Sequence, residues 1–212
     1  MKRRASIPAR INIIGEHTDY LGGLALPFAS DHRLVLTATQ AEQTSGDETV
    51  IGLWRAAGGW PATLKVESTI PIGAGMSSSA ALCLAIVLCA QGSQDALAAC
   101  KEAQRIEHQV LKTPCGLLDQ MAMMMSTEGH AVLIDFATMD HQAFLLPSDW
   151  MFKLVDSGIR RQLSETEFGA SSDAHVLSQH ATQENLRVRQ ALDASSVELG
   201  TLLNASHASL QS

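Results

Sequence analysis

Aromatic side chains are scarce in this chain: 4% of 212 residues, with a single tyrosine, Tyr20. A core with few rings has to be assembled from Ala, Leu, Ile, Val and eight Met. Positive charge is also short, 15 Lys+Arg against 22 Asp+Glu, for a net charge of −7. That balance excludes a general nucleic-acid binder, which needs a basic face to displace counterions. Long hydrophobic runs are missing as well. The longest, Ala80 to Ala90, has eleven residues, whereas a membrane span needs about 20. Lys2, Arg3, Arg4 and Arg10 crowd the start, but Asn12, Glu16 and Asp19 interrupt the apolar stretch a signal peptide would require. The four cysteines form no CxxC pair and have no histidine at zinc-finger spacing. Cys83 and Cys89 lie inside the apolar run, so reduced, buried thiols are expected rather than a disulfide or metal site. The expectation is a cytoplasmic protein that touches neither membrane nor nucleic acid.

What is present is enough for a packed core: 46% hydrophobic and 17% charged residues exclude both disorder and a coiled-coil rod. β-branched or alternating runs predict strands over 7–14, 33–39, 62–70, 130–136 and 151–157. Helices are expected over 76–91, 94–112, 116–127, 172–194 and 197–210. The first helix is apolar all round and therefore buried on most sides. The polar, glycine-terminated IGEHTDYLGG between the first two strands reads as a loop or short helical turn. These blocks lack a βαβ rhythm, which favours an α+β fold. A break at Glu128-Gly129 divides the chain into two expected lobes, 1–128 and 129–212.

PIGAGMSSSAA (71–81) is the most informative stretch. A strand ends, glycines free the backbone, three serines follow and a buried helix starts. Unpaired backbone N–H groups and a helix dipole then converge on one point, an anion site. It is not a Walker A loop, because no lysine lies in it, and GxGxxG is incomplete. Helix capping would account for one serine; three in a row after Gly-x-Gly point to phosphate. Without a lysine the phosphate charge calls for Mg2+, held by Ser77, Ser78 or Ser79 and a carboxylate. Glu107 is the candidate, although from sequence alone it reads as a solvated helix charge.

Two further segments carry chemistry. ARINIIGEHTDY (9–20) collects Arg10, Glu16, His17 and Asp19. By itself this is a polar turn after a strand, though Glu16 and Asp19 would suit vicinal hydroxyls. CGLLDQMA (115–122) puts Asp119 three residues after Gly116 at the head of a Met-rich helix. There the acid either caps the helix or, facing Arg10, acts as a general base held ionised by a cation.

Taken together, these segments resemble the GHMP kinases, and within them the galactokinases. PARINIIGEHTDYLGG (8–23) resembles the family's PGRVNLIGEHTDYxGG, PIGAGMSSSAAL (71–82) its PxGxGLSSSAAL, and IEHQVLKTPCGLLDQ (106–120) its E-H and CG-x-x-D-Q pattern. Weaker echoes continue through HAVLIDF, IRRQLSETEF (159–168) and LLNASHASL (202–210). The resemblance implies a two-lobed fold, an N-terminal lobe like domain 2 of ribosomal protein S5 and an incomplete ferredoxin-like second lobe. It implies an ATP-dependent sugar 1-kinase acting on galactose or a related sugar. Asp119 would be the base and Arg10 would keep it ionised. Glu16, His17, Asp19, Gly116 and Phe168 would line the sugar site. Gly73, Gly75 and Ser77–Ser79 would wrap the ATP phosphates, with Mg2+ shared between Ser78 and Glu107. Such a protein would act as a monomer.

The chain departs from the family pattern at several places. Ala9 stands where the family has glycine. The stretch between the first two motifs is shorter, and of the family's W-x-N-Y-x-x-G run, which helps shape the adenine pocket, only VIG (50–52) and Trp54 remain. Phe168 replaces a tyrosine that touches the sugar. The chain stops at Ser212, before the family's glycine-rich third motif. That last departure supports a second expectation, a relative that holds sugar and nucleotide with weak or no turnover.

Overall fold

Strict alternation builds the first sheet. Ala5, Ile7 and Ala9 are buried on β1 (Lys2–Asn12), Leu34, Leu36 and Ala38 on β3 (Pro27–Gln40), and Ala62 and Leu64 on β4 (Ala62–Ser68). A period of two turns one face of each strand into the core and leaves the other to solvent. The strand order is β1-β3-β4, and β3 pairs antiparallel with β4 from Leu34 opposite Ser68 to Gln40 opposite Ala62. The computed structural model describes residues 1–71, 73–155 and 174–210, with the side chains of 174–176 excepted.

Among these residues the chain forms two compact units. The first holds Met1–Arg10 and Ser30–Met124; the second holds Ile11–Ala29, 125–155 and 174–210. The units interleave along the chain, and the division falls inside β1 and β3.

In the first unit, helix α1 (Glu48–Ala56) was not expected from the sequence. Asp47 caps it, accepting from the amides of Thr49 and Val50 at 2.9 and 3.2 Å. Val50, Leu53 and Trp54, at i, i+3 and i+4, form its buried face. Trp54 is fully buried, its indole donating to the Trp60 carbonyl at 2.7 Å and crossing the Trp60 ring edge-to-face at 5.3 Å. Trp54 and Val50, read from sequence as remnants of a nucleotide pocket, are core residues.

Helix α2 (Ser78–Gln91) is apolar on every side and buries nine of its residues, among them Leu84, Ile86 and Val87. Each fully buried aliphatic side chain of this size contributes about 1.5–3 kcal/mol. At its C-terminal end the Arg3 guanidinium donates to the carbonyls of Cys89 and Ala90 at 3.0 and 2.9 Å, a cation placed where the helix dipole is negative. Helix α3 (Ala96–Ile106) starts at an Asp95 cap and buries Ala99, Cys100, Ala103 and Ile106. Sequence periodicity carried this helix to residue 112; instead the last turn, Glu107–Leu111, widens to π geometry. Helix α4 (Leu118–Met125) follows. All four cysteines are free, and burial pushes the Cys89 and Cys100 thiols up to about 11 and 12, which makes them poor nucleophiles.

In the second unit, β2 (Leu24–Ala25), β5 (His130–Asp135) and β6 (Asp140–Leu145) form an antiparallel sheet in the order β2-β5-β6. Helices α5 (Ala174–Ala191) and α6 (Ser196–Leu210) pack on one another, and α5 packs on β2. Ile13, Ile14, Leu26, Trp150, Val188 and Leu199 are central to its core. The few aromatic rings are concentrated here: Phe144 and Phe152 contact Trp150, and Phe28 contacts Phe152, at 5.3–6.0 Å. The strand expected over 151–157 is not there. Residues 151–155 have no regular structure, residues 156 and 157 lie outside the described residues, and the strand is β6, which starts eleven residues earlier. No helix among the described residues is long and apolar enough to cross a membrane.

Candidate active site

The loop from β4 to α2 takes three left-handed backbone conformations in five residues: Gly73 (φ 70°), Gly75 (φ 74°) and Ser77 (φ 59°). Glycine does this freely, while a serine there is strained by about 1–2 kcal/mol. Ser77 occupies the N-cap position of α2, yet its side chain makes no capping hydrogen bond. The first N–H groups of a helix have no partner within the helix, so the head of α2 presents donors and the positive end of a dipole beside Ser77, Ser78 and Ser79.

Arg10 joins this loop to α4. Its Nη1 donates to the Gly75 carbonyl at 2.7 Å, while Nε and Nη2 reach Asp119 Oδ1 at 2.7 and 2.6 Å. Both groups are about one-fifth exposed, 18% and 24%, so the pair is screened from bulk water without being sealed off. Three segments read separately from the sequence thus meet at one guanidinium. Gly116, half-buried, lies in the irregular run that leads into α4.

Glu107 overturns its reading as a solvated helix charge. It is 2% exposed, at the first position of the π turn, a geometry found mostly where helices carry function. Gln120 Nε2 donates to its Oε2 at 2.9 Å, and the carboxyl also hydrogen-bonds Ser79 and Cys115. Burial pushes the Glu107 carboxyl up to about 7, against the hydrogen bond from Ser79 and with the help of the Asp119 charge. Ser79 is therefore the serine that the fold joins to Glu107. Among the described residues no cluster of three or more His, Cys, Asp and Glu side chains is arranged to hold a metal. A hydroxyl and a carboxylate oxygen at the head of the loop nevertheless fit a hard cation that takes its other ligands from phosphates and water.

Glu16, His17 and Asp19 belong to the second unit. Glu16 is exposed and sits between Gly15 (φ 101°) and His17 (φ 59°). His17 Nδ1 shares a hydrogen bond with the Tyr20 hydroxyl at 2.8 Å, and Asp19 Oδ1 accepts from the Tyr20 amide at 3.1 Å. Burial and then the Asp19 charge raise the Tyr20 phenol, so the hydroxyl stays a donor. The expected turn is a single 3-10 turn, Asp19–Leu21. Phe168 lies outside the described residues.

Two features were missed by sequence reasoning. The first is Gln120, whose Nε2 holds the Glu107 carboxylate; the sequence had paired Glu107 with the serines only as a candidate Mg2+ ligand. The second is a set of polar α5 residues, His180, Glu184 and Asn185, hydrogen-bonded to the loop that carries Glu16. Ala9 departs from the family pattern at no cost. It is fully buried within β1 and needs no positive φ.

The GHMP kinases N-terminal domain matches residues 30–127, and the galactokinase galactose-binding signature matches residues 3–40. A galactokinase of Thermotoga maritima is 30% identical over 270 residues, covering 98% of this chain and 77% of the relative. That span exceeds the chain's own 212 residues, so the relative carries intervening residues that this chain lacks. A galactokinase of Thermosipho africanus is 28% identical, covering 78% of this chain and 55% of the relative. In fold, the chain is similar to Lactococcus lactis galactokinase solved with galactose, with TM-score 0.74, 24% identity and coverage of 99% and 75% of the two chains. It is also similar to Methanococcus jannaschii mevalonate kinase, with TM-score 0.68 and 12% identity over all of this chain and 79% of the other.

Proposed function

The chain belongs to the galactokinase family, phosphotransferases acting on a sugar hydroxyl, and on that premise we propose that it transfers the γ-phosphoryl group of ATP to the anomeric hydroxyl of galactose or a closely related sugar. The observation that carries the assignment of roles is the Arg10 bridge between Asp119 and the Gly75 carbonyl. It supports a base and a phosphate loop that share one cation.

In this reading both Arg10 contacts fall on Asp119 Oδ1, which leaves Oδ2 to take the proton from the anomeric hydroxyl. The guanidinium fixes the carboxylate's orientation and offsets charge on the transferring group. The N–H groups of Gly73–Ser79 and the start of α2 hold the phosphates, which is most of what phosphoryl transfer asks of a protein. Glu107 with Ser78 or Ser79 would hold Mg2+, whose chemistry is to neutralise the phosphate charge. Glu16, His17, Asp19 and Gly116 would bind the sugar hydroxyls. Four free thiols fit a reducing cytoplasm, and a monomer suffices for this chemistry.

The test is ADP release with ATP and a panel of galactose, N-acetylgalactosamine, arabinose and glucose. Galactose-dependent turnover is expected, and Asp119→Asn lowers kcat by about 10²–10⁴-fold while leaving galactose binding by calorimetry within threefold. Turnover that survives Asp119→Asn refutes the assigned base. Absence of turnover on any sugar refutes the function.

A further inference from the structure

The loop that carries Glu16, His17 and Asp19 is held in a conformation it would not keep alone. Gly15 has φ 101°, and a Cβ there would lie 2.4 Å from the Leu24 carbonyl oxygen; His17, with a full side chain, has φ 59°. Two such residues flanking one exposed glutamate cost about 1–3 kcal/mol for His17 alone, and strain of this kind persists only where the surroundings over-determine it.

The surroundings are three side chains of α5, each more than 160 residues away in sequence. The Gly15 amide donates to Glu184 Oε1 at 2.9 Å, the His180 Nε2–H donates to the Glu16 carbonyl at 3.0 Å, and the Leu24 amide donates to Asn185 Oδ1 at 2.7 Å. These three are themselves fastened. Ser206 Oγ donates to Glu184 Oε1 and Arg187 Nε to Oε2, both at 2.6 Å, and Ser209 Oγ meets His180 Nδ1 at 2.8 Å. Inside the loop Thr18 Oγ1 lies 2.9 Å from the carbonyls of both Gly15 and Leu24.

Burial separates this network from ordinary helix packing. Thr18, His180, Glu184 and Ser206 are 0–6% exposed, and they are all the buried polar side chains among the described residues of the second unit. A carboxylate taken out of water for packing alone would be replaced with advantage by an apolar residue. This one accepts from the Gly15 amide as well as from Ser206 and Arg187, so one of its bonds fixes the loop backbone while Glu16 stays exposed. The SHASL segment (206–210), to which the catalytic reading gave no task, supplies the outer fastenings.

We propose that His180, Glu184 and Asn185, backed by Ser206 and Ser209, are positioning residues. They hold the Gly15–Leu24 backbone so that Glu16, His17 and Asp19 meet the sugar pre-arranged, and they set sugar affinity rather than phosphoryl transfer. The assignment rests on the sugar-kinase reading above.

The experiment uses the full chain with His180→Ala, Asn185→Ala and the conservative pair His180→Gln and Asn185→Asp, which keep a donor and an acceptor in place. The alanine variants are expected to raise KM for galactose at least tenfold, with KM for ATP and kcat within threefold, and the conservative pair to restore galactose KM to within threefold. Amide hydrogen exchange read on peptides covering 11–26 is expected to accelerate at least tenfold in the alanine variants, while 130–145 keeps its protection. If His180→Ala does not fold, Asn185→Ala, at a half-buried position, carries the test. Equal rises in both KM values, an unchanged galactose KM, or unchanged exchange over 11–26 would overturn the proposal. If the parent protein phosphorylates no sugar, the kinase reading falls by itself, and the exchange experiment alone decides the clamp.

Discussion

Replacing Glu107 with Gln should stabilise the metal-free protein, and by an amount that grows with pH. Burial, aided by Asp119, lifts this carboxyl from the ordinary 4.5 to about 7. An acid whose folded value is raised opposes folding once it is ionised. The penalty is absent below 4.5, where both states are protonated, and complete above 7. A difference of about 2.5 pKa units at 1.36 kcal/mol each sets that penalty near 3 kcal/mol at pH 8, falling to about 1 kcal/mol at pH 5. Glutamine keeps an oxygen for Ser79 and adds an N–H. A buried acceptor is waiting for it, because Gln120 Oε1 has no partner among the described residues. Urea denaturation of EDTA-treated protein at pH 5 and pH 8, extrapolated linearly, measures the difference. Glu107→Gln should gain about 2 kcal/mol more at pH 8 than at pH 5. A gain that is equal at both pH values, or a loss at pH 8, would refute the argument from burial.

Three other expectations follow from named contacts. Arg3→Ala removes a cation from two terminal carbonyls of α2 and should cost about 2 kcal/mol in the same urea titration. Gly59→Ala places a methyl 2.2 Å from the Trp54 ring; overpacking of this kind costs about 1–3 kcal/mol, visible as a lower Tm with altered tryptophan fluorescence. Glu184 titrates in the opposite sense to Glu107. Burial raises it, but Ser206, the Gly15 amide and Arg187 outweigh burial and hold it below 4.5. Its contribution is therefore complete above pH 4.5 and lost as pH falls through the folded value. The stability gap between parent protein and Glu184→Gln should narrow from pH 6 to pH 3, and a constant gap would contradict the pairing.

What could be read from sequence was what is local. The glycine pattern at 71–77 and the apolar run after it are consecutive, so loop and helix were legible together. Arg10 facing Asp119 was one of two readings of that acid, helix capping being the other, and the fold makes the contact across 109 residues. Glu107 was misread because Lys101, Glu102, Arg105 and His108 surround it, and a charged helix face ordinarily stands in water. Yet Glu107 falls four and seven residues after the buried Ala103 and Cys100, which puts it on the buried stripe of α3 and not on that charged face. β6 was missed because DHQAFL is an edge strand whose residues are nearly all exposed; with both faces wet, no alternation marks it. MFKLV was taken as a strand for its apolar content, yet its Phe152 serves the Trp150 cluster from an irregular segment. Helix α1 did have its signal, the Asp47 cap ahead of Val50, Leu53 and Trp54 at helical spacing.

The α5 clamp also fixes an order of assembly. Its hydrogen bonds close loops of 161 to 169 residues, and contacts of that sequence separation form late, after nearer ones have compacted the chain. During synthesis, β4, α2 and α4 can gather around Arg10 while α5 is still unmade. The Gly15–Leu24 segment must wait, its backbone donors satisfied by water, until residue 185 has emerged. A nascent chain halted before α5 would have the contacts of Arg10 with Gly75 and Asp119 in place and the Gly15–Leu24 backbone still unheld.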